Sequence, residues 1–155
     1  MTTNVHEFHI QWWSKVVANT CLAGALAHPV LVLIGLHLSD QALPLWNVAL
    51  GLLPVSLFSL CMVAAYRCFV LFSKGKWFSQ HPAKHMRESG ILLVWASLAG
   101  IFIPALIETL TTLNSFSLSF GSHQFQSLVF GGIIWVLGSV WQEAYLISKE
   151  NAAFV

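Results

Sequence analysis

The chain has 155 residues, of which 57% are hydrophobic and only 8% are charged. Soluble domains are about 45–50% apolar and about 25% charged, so seven basic and six acidic side chains are too few to cover a water-facing globule. This composition excludes an ordinary soluble enzyme, a disordered chain and a nucleic-acid-binding protein with a basic surface. It indicates a protein whose main partner is the lipid bilayer.

The distribution of charge predicts the number of membrane spans. Four segments contain no Asp, Glu, Lys or Arg: 16–39, 41–66, 89–107 and 109–142. A bilayer core of roughly 30 Å requires about 20 helical residues, and the fourth segment, longer than one span, carries polar residues at 114–117 and 121–124 that we interpret as a turn. The sequence therefore predicts an all-α four-transmembrane-helix bundle forming one membrane domain over 1–155. We place the spans at about 16–38, 46–71, 91–113 and 125–148.

The basic residues predict the orientation of these spans. Five of the seven lie at or within the connection between the second and third spans, predicted at about 72–90, and the other two flank the first and fourth spans: Lys15, Arg67, Lys74, Lys76, Lys84, Arg87 and Lys149. With four spans, this connection and both termini share one side of the membrane. The positive-inside rule makes that side cytoplasmic, so we expect a multi-pass protein of a bacterial inner (plasma) membrane with cytoplasmic N- and C-termini.

The segment before the first span lacks the features of a secretory signal. It carries Glu7 and has no basic n-region or small-residue cleavage site ahead of a short apolar core. We expect Trp12 and Trp13 to lie at the lipid headgroups, either in a short interfacial segment or as a simple aromatic belt.

Two segments carry a resemblance to a known family. Residues 66–93 read YRCFVLFSKGKWFSQHPAKHMRESGILL, and residues 138–155 read GSVWQEAYLISKENAAFV. Together they resemble the bacterial four-span membrane family known only as domain of unknown function 2975. The matching residues are Gly75, Phe78, Ser79, Arg87, Gly90, Glu143, Glu150, Asn151, Phe154 and Val155. The resemblance implies a four-span membrane protein without an established catalytic residue, and it suggests a cytoplasmic regulator as a partner.

Polar residues near the predicted outer ends of the spans form a candidate ligand site. Glu108 is the sharpest case, since an ionisable residue inside a span is costly and is a functional hypothesis by default. His37, Asp40, His123 and Gln126 are predicted at a similar height. Two imidazoles and two carboxylates are a ligand set for zinc or another divalent metal, with His37, Glu108 and His123 as weak metal candidates. Alternatively, Glu108 forms a hydrogen bond that holds two helices together. We predict no cofactor.

Charged residues near the cytoplasmic ends suggest two further roles. Arg67 and Glu143 lie at matching depths in the second and fourth spans, which predicts a structural ion pair because either charge alone would be costly there. Four basic residues of the middle connection are predicted to contact a cytoplasmic partner or lipid headgroups: Lys74, Lys76, Lys84 and Arg87.

His28 lies in the middle of the first span, directly before Pro29. A neutral imidazole there can satisfy carbonyls that the proline frees. Because no other span supplies a histidine at mid-depth, a haem held by two histidines is not expected. We interpret His28 as structural.

Three functional hypotheses remain open from the sequence. The first is a non-enzymatic sensor, anchor or interaction protein that presents its basic connection to a cytoplasmic or membrane partner. The second is a small-molecule or ion transporter centred on Glu108, which would require a homo-oligomer because four spans cannot enclose a wide aqueous path. The third is a membrane enzyme or metal-binding protein with its site at the outer polar residues.

Overall fold

The computed structural model describes residues 3–38, 44–112, 118 and 121–152, and within them the fold is all-α. Four helices follow one another: α1 (Thr3–Leu38), α2 (Leu45–Ser73), α3 (Gln80–Thr112) and α4 (Ser122–Ala152). Each helix is long and apolar enough to cross a membrane. The prediction of four apolar helices is thereby confirmed.

The helices are longer than the spans predicted from the segments that lack charged residues. α3 begins at Gln80 rather than near residue 91, so the connection predicted over 72–90 is reduced to the six residues 74–79. α1 includes the aromatic segment upstream of Lys15, which is therefore helical and continuous with the first span. The physical reason is that charged residues are excluded from hydrocarbon but not from helices, so a helix continues past the hydrocarbon boundary until a breaking signal ends it.

A tight turn at Gly75 ends α2 and reverses the chain. The Gly75 N–H donates to the Phe72 carbonyl (2.9 Å), and the Lys76 N–H donates to the Leu71 carbonyl (3.1 Å). Gly75 has a φ of +72°, a left-handed conformation that glycine adopts without a Cβ penalty. This pair of hydrogen bonds is the Schellman arrangement, which satisfies carbonyls that the end of a helix leaves open.

The helices pack in series along the chain. α1 packs against α2, α2 against α3 and α3 against α4, and within the described ranges no other pair of helices brings its backbones close. Side chains of α2 and α4 do meet at one point, where Phe72 stacks on Trp141 with ring centroids 5.3 Å apart. Close backbone contacts in the bundle are therefore serial along the chain, while side chains of helices that are not sequence neighbours also meet.

Three glycines bring α3 and α4 into close backbone contact. A Cβ on Gly138 would lie 2.6 Å from the Arg87 nitrogen, and one on Gly131 would lie 2.9 Å from the Val94 nitrogen. A Cβ on Gly90 would overlap the backbone of Trp135. In lipid, apolar side chains gain nothing by leaving the solvent, so close packing of this kind supplies much of the free energy of helix association.

Small residues also form the α2–α3 interface. The Cys61 Sγ lies 3.4 Å from the Ser89 Oγ, and the Cys68 thiol donates to the Pro82 carbonyl at 3.5 Å. Cys61, Cys68, Pro82 and Ser89 are all buried. These two pairs show that α2 and α3 run antiparallel, with residues near Arg67 lying beside the start of α3.

Candidate functional sites

The predicted outer polar set is not brought together within the described residues. His37 is exposed on α1, which packs only against α2, whereas Glu108 and Gln126 are exposed on α3 and α4. Asp40 lies outside the described residues. In the part of the chain that the structure describes, no three His, Cys, Asp or Glu side chains are placed to hold a metal ion. The metal candidates His37, Glu108 and His123 are therefore not assembled into a three-ligand site within these ranges.

The register of α3 against α4 explains the position of Glu108. A Cβ on Gly100 would lie 4.0 Å from the Gln124 Cγ, so the first turn of α4 is level with the middle of α3. Glu108 lies about two turns further along α3, beyond the first residues of α4. Glu108 and the first residues of α4 were predicted at equal distances from the ends of their spans, but they do not lie at the same height along the helix axes.

A cavity of about 370 Å³ lies where all four helices contribute side chains; we call it the four-helix cavity. Its walls are largely apolar side chains of α2 and α3, such as Pro54 and Phe58. Its polar lining consists of His28 from α1, Ser97 from α3, and His123, Gln124 and Ser127 from α4. Small-molecule sites have volumes of about 300–1,000 Å³ with a few polar groups on an apolar lining, and this cavity fits that description.

His28 lies toward the Leu93 end of the four-helix cavity, because it contacts Phe58 and the antiparallel register of α2 and α3 places Phe58 level with Leu93. Its ring is 5.0 Å from that of Phe58, centroid to centroid. Its Nδ1 is buried and has no hydrogen-bond partner among the described residues, so this atom does not satisfy the carbonyls freed by Pro29 as the sequence suggested. A buried polar atom without a partner costs about 1–3 kcal/mol. His28 is thus a polar group inside the bundle whose Nδ1 no described residue satisfies.

Gln124 lies at the other end of the four-helix cavity. Its side-chain Oε1 is also buried without a hydrogen-bond partner among the described residues and points back to Gly121, ahead of α4. His123 lies beside it and is exposed. Along α3, the lining runs from Leu93 to Gly100, which is about 10 Å at 1.5 Å per residue.

Sequence reasoning missed His28 and Gln124 as a site. A histidine ahead of a proline and a glutamine in the first turn of a helix were the only available signals. Neither signal indicates which helices pack together, and it is this packing that places His28 and Gln124 in the lining of one cavity.

The predicted partner-binding residues gather at one end of the bundle along the direction of the helix axes. Lys74, Lys76, Lys84 and Arg87 are all exposed around the α2–α3 turn. The start of α1 joins them, because Lys15 and Trp12 share a surface depression with Ser73. We call the exposed set the basic end, comprising Lys15, Lys74, Lys76, Lys84 and Arg87.

The C-terminal half of α4 also reaches the basic end. The Arg87 guanidinium donates to the Gln142 Oε1 at 3.4 Å, and Lys149 follows two turns later. The start of α1, the α2–α3 turn and the end of α4 are therefore on the same side of the molecule. The described residues at the opposite end, near Leu38, Pro44, Thr112 and Gly121, include no Lys or Arg.

The structure does not bring Arg67 and Glu143 together. Both side chains are exposed; α2 meets α4 through Phe72 and Trp141, whereas Arg67 lines a cleft between α2 and α3. Arg67 and Glu143 were predicted at the same depth in the membrane, but their side chains do not lie close to each other. The ion pairs formed within the described residues instead join Glu88 to Lys84 (3.7 Å) and to His85 (3.0 Å, charged only when the imidazole is protonated).

Comparison with known proteins gives no match. No protein-family model matches the sequence, and no curated protein or solved structure matches it significantly either. The placement of individual side chains therefore carries the functional argument.

Proposed function

We propose that the protein is a small, non-enzymatic multi-pass protein of a bacterial inner membrane that acts as an interaction protein through its basic end. The observation that supports this proposal is the concentration of exposed Lys and Arg at one end of the helices, with none among the described residues at the other end. In this proposal both termini and the α2–α3 turn lie in the cytoplasm, following the positive-inside rule.

The charge of the basic end favours an anionic partner. Each Lys or Arg near an anionic surface contributes about 1 kcal/mol of attraction at physiological ionic strength. Glu88 offsets the charge of Lys84 locally, which leaves Lys15, Lys74, Lys76 and Arg87 to attract an acidic segment. We propose a cytoplasmic regulator with an acidic surface as the partner, in line with the resemblance to the four-span family.

Site-specific photo-crosslinking in cells tests the proposal. A photoreactive residue replaces Lys76 at the basic end, and the matched control replaces Leu45, which is exposed at the opposite end. We expect a discrete protein adduct from position 76 that disappears when Lys15 and Lys74 are changed to Gln, because its attraction is electrostatic. No corresponding adduct is expected from position 45.

Two results would contradict this function. One is an adduct at position 76 that persists unchanged after Lys74, Lys84 and Lys15 are neutralised. The other is an identical adduct from position 45, which would mean that the two ends do not differ in partner binding.

A second candidate function is supported by the four-helix cavity. Its largely apolar lining with a few polar residues, among them His28, Gln124 and Ser127, favours a protein that binds a neutral small molecule and responds to it. No placement among the described residues specifically favours a transporter centred on Glu108 or an enzyme at the outer polar residues.

A further inference from the structure

A surface cleft of about 390 Å³ runs between α2 and α3 on a side of the pair to which α1 and α4 contribute no lining residue. We call it the Arg67 cleft. Its apolar lining consists of Leu60, Val63, Ala64, Ile91 and Leu92. Its two charged lining residues are Arg67 and Glu88. The cleft therefore combines a hydrocarbon-like wall with charged groups.

The charged and apolar parts of the Arg67 cleft are ordered along the helix axis. Leu60, Ala64 and Arg67 follow one another at helical spacing and share one face of α2. Arg67 is the member nearest the end of α2 at Ser73, about 9 Å away at 1.5 Å per residue. A long arginine side chain at that depth can extend its guanidinium to the headgroup region while its stem stays in hydrocarbon. The cleft thus runs from a cationic group near the membrane surface to an apolar wall deeper in the bilayer.

The acid in the cleft does not neutralise Arg67. The Glu88 carboxylate is engaged elsewhere, with its Oε2 3.0 Å from the His85 Nδ1 and its Oε1 3.7 Å from the Lys84 Nζ. Arg67 takes part in no ion pair within the described ranges of the chain. No described residue supplies Arg67 with a counter-charge, so an anion from outside these helices is favourable at its guanidinium.

We propose that the Arg67 cleft binds one anionic phospholipid, with the phosphate on Arg67 and an acyl chain along the apolar wall. A guanidinium presents a planar fork of donors that matches a phosphate in geometry and charge. The apolar wall favours a lipid over a free phosphate ion, because only a lipid also covers Leu60, Ile91 and Leu92. This inference is independent of the partner at the basic end, since Arg67 is not one of the residues of that surface.

Lipid titration by native mass spectrometry of the purified full-length chain tests this site. The probes are phosphatidylglycerol and, as the uncharged-headgroup comparison, phosphatidylcholine with the same acyl chains. Lys149→Gln is the matched control, because Lys149 is an exposed base on the same side of the molecule but outside the cleft. We expect one saturable phosphatidylglycerol adduct in the wild type and in Lys149→Gln. In Arg67→Gln its affinity should fall about tenfold, to the level of phosphatidylcholine.

Two further variants separate the charge from the apolar wall. Leu60→Trp fills the cleft without changing its charge, since Leu60 is more than half exposed, and it should weaken phosphatidylglycerol binding severalfold. Arg67→Lys keeps the charge but loses the planar fork, and it should lie between the wild type and Arg67→Gln. If Arg67→Gln does not insert into the membrane, Arg67→Lys still tests the site.

The proposal is overturned if Arg67→Gln binds phosphatidylglycerol as tightly as the wild type does. Equal losses in Arg67→Gln and Lys149→Gln would overturn it as well, because they indicate diffuse attraction to the basic side. An unchanged affinity in Leu60→Trp excludes the acyl chain from the cleft. Competition by glycerol phosphate at the same concentration as the lipid would show that the anion alone is bound.

Discussion

Individual polar side chains within the helices matter here because the interior of a bilayer offers them no water. His28 and Gln124 each retain a buried polar atom without a partner among the described residues, at opposite ends of the four-helix cavity. Such an atom is favourable only when water or a ligand completes it. Gln124 Oε1 can only accept a hydrogen bond, whereas His28 Nδ1 donates or accepts according to its tautomer. The lining of the four-helix cavity is largely apolar and extends about 10 Å along α3, so a neutral, mostly apolar molecule with one hydroxyl group fits it.

Gly100→Leu is expected to close the four-helix cavity. A Cβ at Gly100 meets only the Gln124 Cγ at 4.0 Å, so a leucine can be accommodated on the cavity wall. Gly132→Leu is the matched control, because a Cβ there meets nothing within 4 Å and Gly132 does not line the cavity. With naphthol, a neutral fluorescent phenol, we expect its emission to report binding to the wild type and Gly132→Leu. Affinity should fall about tenfold in Gly100→Leu.

His28→Phe separates binding from stability at the same site. Removing an unpartnered buried nitrogen should raise the free energy of unfolding by about 1 kcal/mol, while naphthol binding weakens. A naphthol affinity that is unchanged in both Gly100→Leu and His28→Phe would rule out the cavity as the binding site.

At the scale of the helices, α2 and α3 are the two inner elements, because α2 packs on α1 and α3 while α3 packs on α2 and α4. Charge-free segments predicted how many helices there are, since the bilayer demands long apolar stretches regardless of packing. They could not predict which faces meet, because lipid accepts an apolar side chain as readily as a neighbouring helix does. The expected Arg67–Glu143 pair depended on the two side chains facing each other, whereas α2 meets α4 through Phe72 and Trp141 and Arg67 faces the cleft beside α3. Likewise, the convergence of His37 with His123 depended on the height at which α1 approaches α4; in the structure it is His28 that lines the same cavity as His123.

Gly90→Ala is expected to disrupt the α3–α4 interface. The added methyl group overlaps the Trp135 backbone, and overpacking of a tight interface costs about 1–3 kcal/mol. Gly51→Ala is the control, since a Cβ at Gly51 in α2 meets nothing within 4 Å, and it should be stabilising by about 0.5–1 kcal/mol through helix propensity alone. Reversible unfolding in mixed micelles, followed by circular dichroism, measures both. Equal free energies of unfolding for the two variants would contradict the close glycine contact.

At the scale of the whole molecule, the two ends of the bundle, taken along the helix axes, differ in charge. The described basic residues lie toward the side of the α2–α3 turn, and the start of α1 and the end of α4 lie on that side too. The sequence predicted this arrangement well, because the placement of charges along four antiparallel helices needs no knowledge of which faces pack. The side of the membrane on which the basic end lies remains part of the proposed function.

Cysteine labelling measures that orientation. In a chain whose native cysteines are replaced by serine, Lys76→Cys and Leu45→Cys mark the two ends. The positive-inside rule predicts that a membrane-impermeant maleimide labels Leu45→Cys on intact spheroplasts and labels Lys76→Cys only after lysis. The reverse pattern would place the basic end outside the cell and would contradict the proposed cytoplasmic partner.

The serial packing of the helices bears on how the protein is assembled. Each close backbone interface of the described helices joins neighbours along the chain, so every hairpin can form once its second helix has entered the bilayer. Contacts that are local in sequence carry a small loop-closure cost and form early. A chain synthesised through α3 already contains the helices that make the α1–α2 and α2–α3 interfaces. The last helix completes the protein by docking its glycines on a partner that is already in place.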